Sequence, residues 1–379
     1  MGWLKLKEVG MKDGHIRKLM NIYNRYDELF REENFRLFNS GLKKNLEKSR
    51  NINLDSKMEF YKRNKVRIID ANSQGYPEKL KELTDYPLFL YVKGKELKKG
   101  LNDERRNIAV VGTRKVTKFG KSACEKIVRE LMEYDVTLIS GLAEGIDTVA
   151  LSASVEKDGS AIAVVGSGLD IVYPYENKIL WEKISENGIL ISEHPLGTKP
   201  LKWNFPKRNR IIAALSDGIL IAESFKSGGA LITAELGFIM DKEIFAVPGF
   251  INYPSFEGCN NLIKENKAKL VTTGEDIARE FLWDLKNRKN KTDKLTYEEK
   301  IVFLQLSEEY GLEEIMKKIK NFNMNNDNNK NRDTLFENEF RPEENSIDIP
   351  VNKLLSILMS LKVKGLITET GTARYMRIV

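Results

Sequence analysis

One stretch of this chain crowds positive charge beside aromatic rings. Asn204 to Ile212 reads NFPKRNRII, with Lys207, Arg208 and Arg210 around Asn209 and with Phe205 and Pro206 just before them. Lys199, Lys202 and Trp203 stand a few residues upstream. Guanidinium and ammonium groups bind phosphate oxygens, and an aromatic ring offers a face on which a base stacks. Five cations from Lys199 to Arg210 exceed what one mononucleotide needs and suit a phosphodiester strand with exposed bases. A basic run taken alone can equally be a solvated face, so the surrounding sequence decides.

Four glycine-bearing turns supply the context. In AVVGTRKVTKFGKSACEKI a strand ends at Val111, Gly112 turns the chain, and a helix starts near Phe119 to Lys121. Small residues there let backbone N–H groups approach an anion, and the helix N-terminus adds positive potential. Arg114 and Lys115 share that turn. No G-x-G-x-x-G is present, and the next strand, VTLISG, ends in Ser140-Gly141 rather than an acidic residue. NAD is therefore disfavoured, and no cofactor is called for. SGLAEGIDTVAL and VVGSGLDIVYPYEN give the second and third turns, with Tyr173-Pro174 read as a structural corner. In AESFKSGGALITAELGF a strand ends at Glu223, and Ser227, Gly228 and Gly229 open a helix predicted to turn Leu231, Ala234 and Phe238 inward.

Elements of a definite kind must carry these turns. From about residue 75 to 282 short aliphatic runs recur, among them NIAVVGT, VTLISG, SAIAVVG, GILISE and GILIAE. Several are apolar on both alternations, which predicts strands buried on both faces, as in parallel sheets. KSACEKIVRELMEY places Cys124, Ile127, Val128, Leu131 and Met132 at helical spacing, so Cys124 is read as core. Strand alternating with helix predicts a doubly wound, Rossmann-like α/β domain over 72–282, where glycine-rich turns converge on one crevice. Residues 1–71 read as a small helical domain of the SAM or helix-hairpin-helix kind, from spacing such as Ile16, Leu19, Met20 and Tyr23. Residues 283–379 form a third region. Its Asn321 to Asp333 run, NFNMNNDNNKNRD, is expected to be disordered. Beyond it Val351, Leu354, Leu355, Leu358 and Leu361 define a helix face, Gly365 ends that helix, and LITET and RYMRIV form a hairpin. That is the second half of a winged helix, with LTYEEKIVFLQLS supplying an earlier helix.

Composition narrows the class. The 379 residues carry a net charge of +7, and a basic balance favours an anionic partner. Two cysteines and two histidines provide neither a disulfide framework nor a zinc site. No stretch is long and apolar enough for a membrane span, and the N-terminus has no apolar signal core. The chain reads as cytoplasmic.

At these motifs the chain resembles the DprA/Smf family of DNA-processing proteins of natural transformation. The likeness runs from about Tyr76 to Ile277 through VVGTRKVTKFG, ISGLAEGID, GLDIVYPYEN, ISEHPLGTKP, NFPKRNRIIAALSD, SGGALITAE, FAVPG and GCNNLI, and the tail resembles that family's winged-helix-like domain. The resemblance implies an extended Rossmann fold, without catalytic residues, that binds single-stranded DNA, forms homodimers and loads RecA recombinase. Carried over by position, it implies a DNA site of Gly112, Thr113, Arg114, Lys202, Phe205, Lys207, Arg208, Asn209, Arg210, Ser227 and Gly228. Two departures stand out: Glu144 and Leu151 occupy places where the family usually has Arg and His.

Two other readings compete. The fourth turn also resembles the glycine-rich loop of nucleoside-monophosphate phosphoribohydrolases, which would make the chain an enzyme or a sensor of free nucleotides, with Glu235 assisting glycosidic cleavage and Arg114 holding a phosphate. The basic, aromatic segment argues against it. A transcription regulator acting through the C-terminal domain ranks last, because its candidate recognition helix offers Lys353, Lys362 and Lys364 but only Asn352 for base reading.

Overall fold

The computed structural model describes residues 2–95, 106–156, 160–283, 295–306, 308–328, 349–364, 366–371 and 373–377. The chain divides into two compact units, Met1–Asp284 and Leu285–Val379.

The first unit is built on a nine-stranded sheet. Its strands are β1 (Val66–Asp70), β2 (Phe89–Gly94), β3 (Arg106–Val111), β4 (Val136–Ser140), β5 (Ser160–Val165), β6 (Ile189–Ser192), β7 (Gly218–Ile221), β8 (Glu243–Ala246) and β9 (Lys269–Leu270). The spatial order is β1-β2-β6-β5-β4-β3-β7-β8-β9. From β6 to β9 every pairing is parallel; β1 and β2 add an antiparallel edge. The fully apolar runs become the central strands because only a sheet covered on both faces buries both alternations. The chain proceeds outward from β3 through β4, β5 and β6, then returns to β7 on the other side of β3. The switch point of this doubly wound sheet therefore lies between β3 and β7.

Among the described residues twelve α-helices accompany it: α1 (Leu4–Glu8), α2 (Asp13–Ile22), α3 (Glu32–Leu37), α4 (Ser40–Arg50), α5 (Leu54–Arg63), α6 (Lys118–Leu131), α7 (Ile146–Glu156), α8 (Lys178–Asn187), α9 (Asn204–Leu215), α10 (Gly229–Ile239), α11 (Glu257–Lys264) and α12 (Gly274–Glu280). Thr117 caps α6 by accepting the Gly120 N–H at 3.0 Å, and Cys124, Ile127, Val128 and Leu131 are buried beneath it, as the spacing predicts. Phe238 departs from expectation. It lies at the end of α10 and is 52% exposed, whereas Ala230, Thr233, Ala234 and Gly237 form the inward face.

The expected boundary after residue 71 falls just past β1, so that strand belongs to the sheet and not to the helices before it. Those helices are tied to the sheet by polar contacts. Tyr61 of α5 and Tyr91 of β2 both donate to Glu8 Oε1, at 2.5 and 3.2 Å, and Arg17 of α2 donates to the Tyr86 carbonyl at 2.6 Å.

The second unit runs α13 (Tyr297–Gln305), β10 (Tyr310–Gly311), α14 (Leu312–Asn328), α15 (Val351–Val363), β11 (Ile367–Gly371) and β12 (Arg374–Arg377), with an antiparallel sheet ordered β10-β12-β11. Leu354, Ile357, Leu358 and Leu361 of α15 are buried with Ile301, Val302, Ile315 and Ile319, while Val351 and Leu355 stay on the rim. The asparagine-rich run is helical as far as Asn328, because it continues α14, whose Ile315 and Ile319 are packed in the core. The remainder of that run, and Gly365, lie outside the described residues.

Candidate nucleic-acid interface

The basic segment is itself helical. α9 starts at Asn204, so NFPKRNRII forms its first two turns, and Pro206 sits in the first turn where a missing N–H is tolerated. Helical periodicity then sorts the side chains. Asn204, Arg208, Ile211, Ile212 and Leu215 follow the buried stripe, while Phe205, Pro206 and Lys207 face outward. Asn204 anchors the turn by donating to the Gly166 carbonyl at 2.9 Å.

This corrects the expectation that every cation of the segment faces a ligand. Arg208 is 4% exposed. It donates to the Val164 carbonyl and lies directly beneath Gly141, where a Cβ would fall 1.9 Å from its guanidinium. Asp147 of α7 is its electrostatic counterpart, and that carboxylate also accepts the Gly141 and Ala143 N–H groups at 3.1 and 3.3 Å. Burial pushes the Asp147 carboxyl up and the Arg208 guanidinium down, to about 10; the opposite charge of each works against both shifts. Arg210 is also internal, paired with Glu193 at 2.6 Å and Asp85 at 3.1 Å. Asn209 is half-buried, and Lys199, Lys202, Trp203 and Lys207 are exposed.

The first turn differs from expectation for a related reason. Gly112 is required for packing, since a Cβ there would lie 2.5 Å from Ile146 Cγ1, and the Thr113 N–H donates to the Glu223 carbonyl at 2.8 Å. Glu223, two residues past β7, is fully buried and accepts the Thr117 N–H at 3.0 Å with its own carboxylate. Gly120 leaves room for it, as a Cβ would sit 1.9 Å from Glu223 Oε2. The α6 N-terminus at the switch point, read from sequence as a phosphate cradle, is thus filled by an internal anion.

The open crevice lies beside it, over the ends of β3, β4 and β5. Arg114, Gly141, Leu142, Ala143, Glu144, Tyr173, Pro174 and Phe205 line it. The exposed Arg114 guanidinium stands 5.5 Å from the Phe205 ring centroid, and Tyr173 meets the same ring at 5.6 Å with planes 41° apart. The second turn reaches this site through left-handed backbone at Leu142 (φ 56°) and Gly145 (φ 81°), and Gly145 packs against the Thr113 carbonyl where no side chain fits. The structure therefore unites Arg114 and Phe205, two residues 91 positions apart in sequence. Tyr173, read only as a corner, joins them as a second ring; its neighbour Pro174 was the sole hint. Ser227 and Gly228 do not line this crevice. They border a separate open hollow of about 450 Å³ with Lys226 and the exposed Glu235.

In the second unit the three lysines of the candidate recognition helix are engaged in ion pairs, Lys353 with Glu298, Lys362 with Glu369 at 2.6 Å and Lys364 with Glu299 at 2.6 Å, and Arg374 of β12 pairs with Glu309 at 2.8 Å. Burial alone would raise the Glu299 carboxyl, but hydrogen bonds from Lys364, Ser360 and the Thr296 N–H bring it down to about 2.

A doubly wound α/β unit with a cation and two rings at the carboxyl ends of its parallel strands defines the class to which this chain's fold and site belong. The chain is a member of the DNA recombination-mediator protein A family, whose model matches residues 67–282. It is 42% identical over 207 residues to DNA processing protein DprA of Streptococcus pneumoniae, covering 54% of this chain and 71% of that one. It is 40% identical over 219 residues to protein Smf of Escherichia coli, covering 58% and 57%. The X-ray structure of DprA from Streptococcus pneumoniae superposes with a TM-score of 0.63 at 34% identity, over 74% of this chain and 98% of that one. A structure of DNA processing protein A from Helicobacter pylori, described for its single-stranded DNA binding mode, gives 0.52 at 28% identity over 57% and 95%. Among the described residues no helix is long and apolar enough to cross a membrane.

Proposed function

We propose that this protein binds single-stranded DNA, without chemical turnover, as a DNA-processing and recombination mediator that holds incoming strands in transformation and loads RecA onto them in the cytoplasm. The observation that carries the DNA part is the Phe205 ring at the crevice mouth, flanked by Tyr173 and Arg114. Bases stack on such rings regardless of identity, and exposed cations take the phosphates. Arg114, Lys202 and Lys207 are the direct phosphate contacts, whereas Arg208 and Arg210 shape the site from within. The Helicobacter pylori relative, described for its single-stranded DNA binding mode, and the family assignment support the same reading. The hydrolase alternative has its glutamate on an open hollow, away from the aromatic crevice.

The second unit serves as a winged-helix-like accessory, a reading supported by its helix and strand order. Homodimers form through the sheet edge at β9, where Leu270 is 53% exposed and Phe238 and Ile239 of α10 also face solvent. Sedimentation of Phe238→Asp and Leu270→Asp should then show monomers.

The deciding experiment titrates single-stranded and blunt duplex DNA of equal length across a salt series, with the Phe205→Ala variant alongside. Single strands should bind more tightly, and Phe205→Ala should lose about 1–3 kcal/mol with an unchanged salt slope. Equal or tighter duplex binding refutes the reading. So does release of free base from nucleoside monophosphates that vanishes in Glu235→Gln.

A further inference from the structure

A second set of rings stands on the far side of the switch point, outside the crevice. Phe119 in the first turn of α6, Phe250 after β8 and Tyr253 beyond it form a row, with ring centroids 5.9 Å and 5.7 Å apart. They are 47%, 64% and 52% exposed. The planes are tilted by 56° and 42°, so the rings do not cover each other's faces.

The row is held firmly. Phe256, fully buried, braces Phe119 edge-on at 5.4 Å. Asn260 clamps the start of the 249–253 loop, accepting the Gly249 N–H at 3.1 Å and donating to the Gly249 carbonyl at 3.0 Å. Tyr253 closes the turn by donating its N–H to the Phe250 carbonyl at 3.0 Å. Gly249 must lack a side chain, because a Cβ would lie 2.0 Å from the Phe256 ring. Three adjoining rings left about half exposed make an apolar patch of the kind that marks an interaction site.

Charge and continuity indicate which ligand. The β3–α6 connection and the first turn of α6 carry Arg114 of the crevice and then Lys115, Lys118 and Phe119 within six residues. Lys115 and Lys118 are exposed and have no ionic partner among the described residues. One short segment thus leads from the crevice to the rings along a positive edge. An apolar protein partner would gain from the rings but not from these cations; a nucleic-acid strand uses both.

We propose that a single strand leaving the Arg114–Phe205 crevice continues across the end of β7 onto Phe119, Phe250 and Tyr253. Those rings stack further bases without selecting among them, and Lys115 and Lys118 hold the intervening phosphates. This rests on the single-strand reading above and extends its footprint.

The test uses the full chain and oligothymidylates lengthened one nucleotide at a time. Wild-type affinity should rise to a plateau at the length that spans both sets of rings. Phe250→Ala combined with Tyr253→Ala should leave the shortest binding oligomers unaffected. It should weaken the long ones by about 5- to 150-fold per lost stacking partner, with an unchanged salt slope. Phe250→Leu, which keeps apolar bulk without a ring, should lose affinity for long oligomers and fold as the wild type does. Lys115→Ala with Lys118→Ala should flatten the salt slope for long oligomers only. If the ring variants bind every length as the wild type does while Phe205→Ala still weakens binding, the extended path is wrong and the crevice reading stands. If the wild type binds no single strand at all, the crevice reading fails first. A change in solution mass or in protein–protein binding of the ring variants, with DNA affinity intact, would make the row a protein interface and overturn the proposal.

Discussion

Replacing Arg208 with methionine tests whether the conspicuous basic segment is all ligand surface. Methionine keeps the length of the stem and its packing but removes the charge and the hydrogen bond to the Val164 carbonyl. Asp147, 6% exposed, then loses its larger opposing charge and keeps the weaker influence of Arg114 and the Gly141 and Ala143 N–H groups as donors. Stranding one of two opposed buried charges is destabilising, by up to about 3 kcal/mol where the two are not in direct contact. The loss should depend on pH. Burial already raises the Asp147 carboxyl, and without Arg208 it rises further. A carboxyl whose folded pKa exceeds its unfolded value stabilises the fold below the unfolded pKa, and that contribution disappears as pH rises through the folded pKa. Urea unfolding at about pH 7.5 should therefore show the full destabilisation, and mild acid should restore part of it as Asp147 takes up a proton. DNA affinity should fall because Gly141 and Ala143 lose their support, yet the salt slope should not change, since no phosphate contact is removed. Wild-type stability combined with a salt slope lower by about 0.7 would show that Arg208 reaches a phosphate, and the buried assignment would be wrong.

Other consequences can be measured independently. Arg114→Ala should lower the single-strand salt slope by about 0.7, and Lys207→Ala should do the same, in fluorescence titrations across salt. Gly120→Ala should destabilise the first unit by several kcal/mol in chemical unfolding, because its Cβ would collide with the buried Glu223 carboxylate. The second unit should weaken in acid. Glu299 is depressed from 4.5 to about 2 in the folded chain, so its contribution is complete above about pH 4.5 and disappears as pH falls towards 2. A Glu299→Gln variant should flatten that limb of the acid-unfolding curve. A fragment ending at Asp284 should fold and retain the crevice's single-strand affinity, whereas one beginning at residue 72 should be less stable, because it lacks β1 and the Glu8 contacts to Tyr91. Thermal melts of the two fragments would decide this.

The sequence by itself determined the parallel sheet and the turns. Strands apolar on both alternations leave no other way to satisfy burial, and Gly112, Gly141 and Gly228 mark where the chain must reverse. Cys124 as core and α6 beneath it follow from the same periodicity. The sequence also singled out Arg114 and Phe205, since a cation after a strand and a ring in a basic run are visible without coordinates. It could not say which cations of the segment face outward. That depended on α9 starting at Asn204 instead of after Arg210, which turns Arg208 onto the stripe of Ile211, Ile212 and Leu215. Nor could it show that Glu223, 109 residues after Arg114, fills the helix N-terminus at the switch point. A local pattern specifies that an anion is favourable there, but only the packing of β7 against β3 decides that the chain supplies its own. Tyr173 and the Phe119–Phe250–Tyr253 row were hidden for the same reason. Their members lie on separate loops, and nothing in linear spacing records that the sheet delivers those loops to one edge.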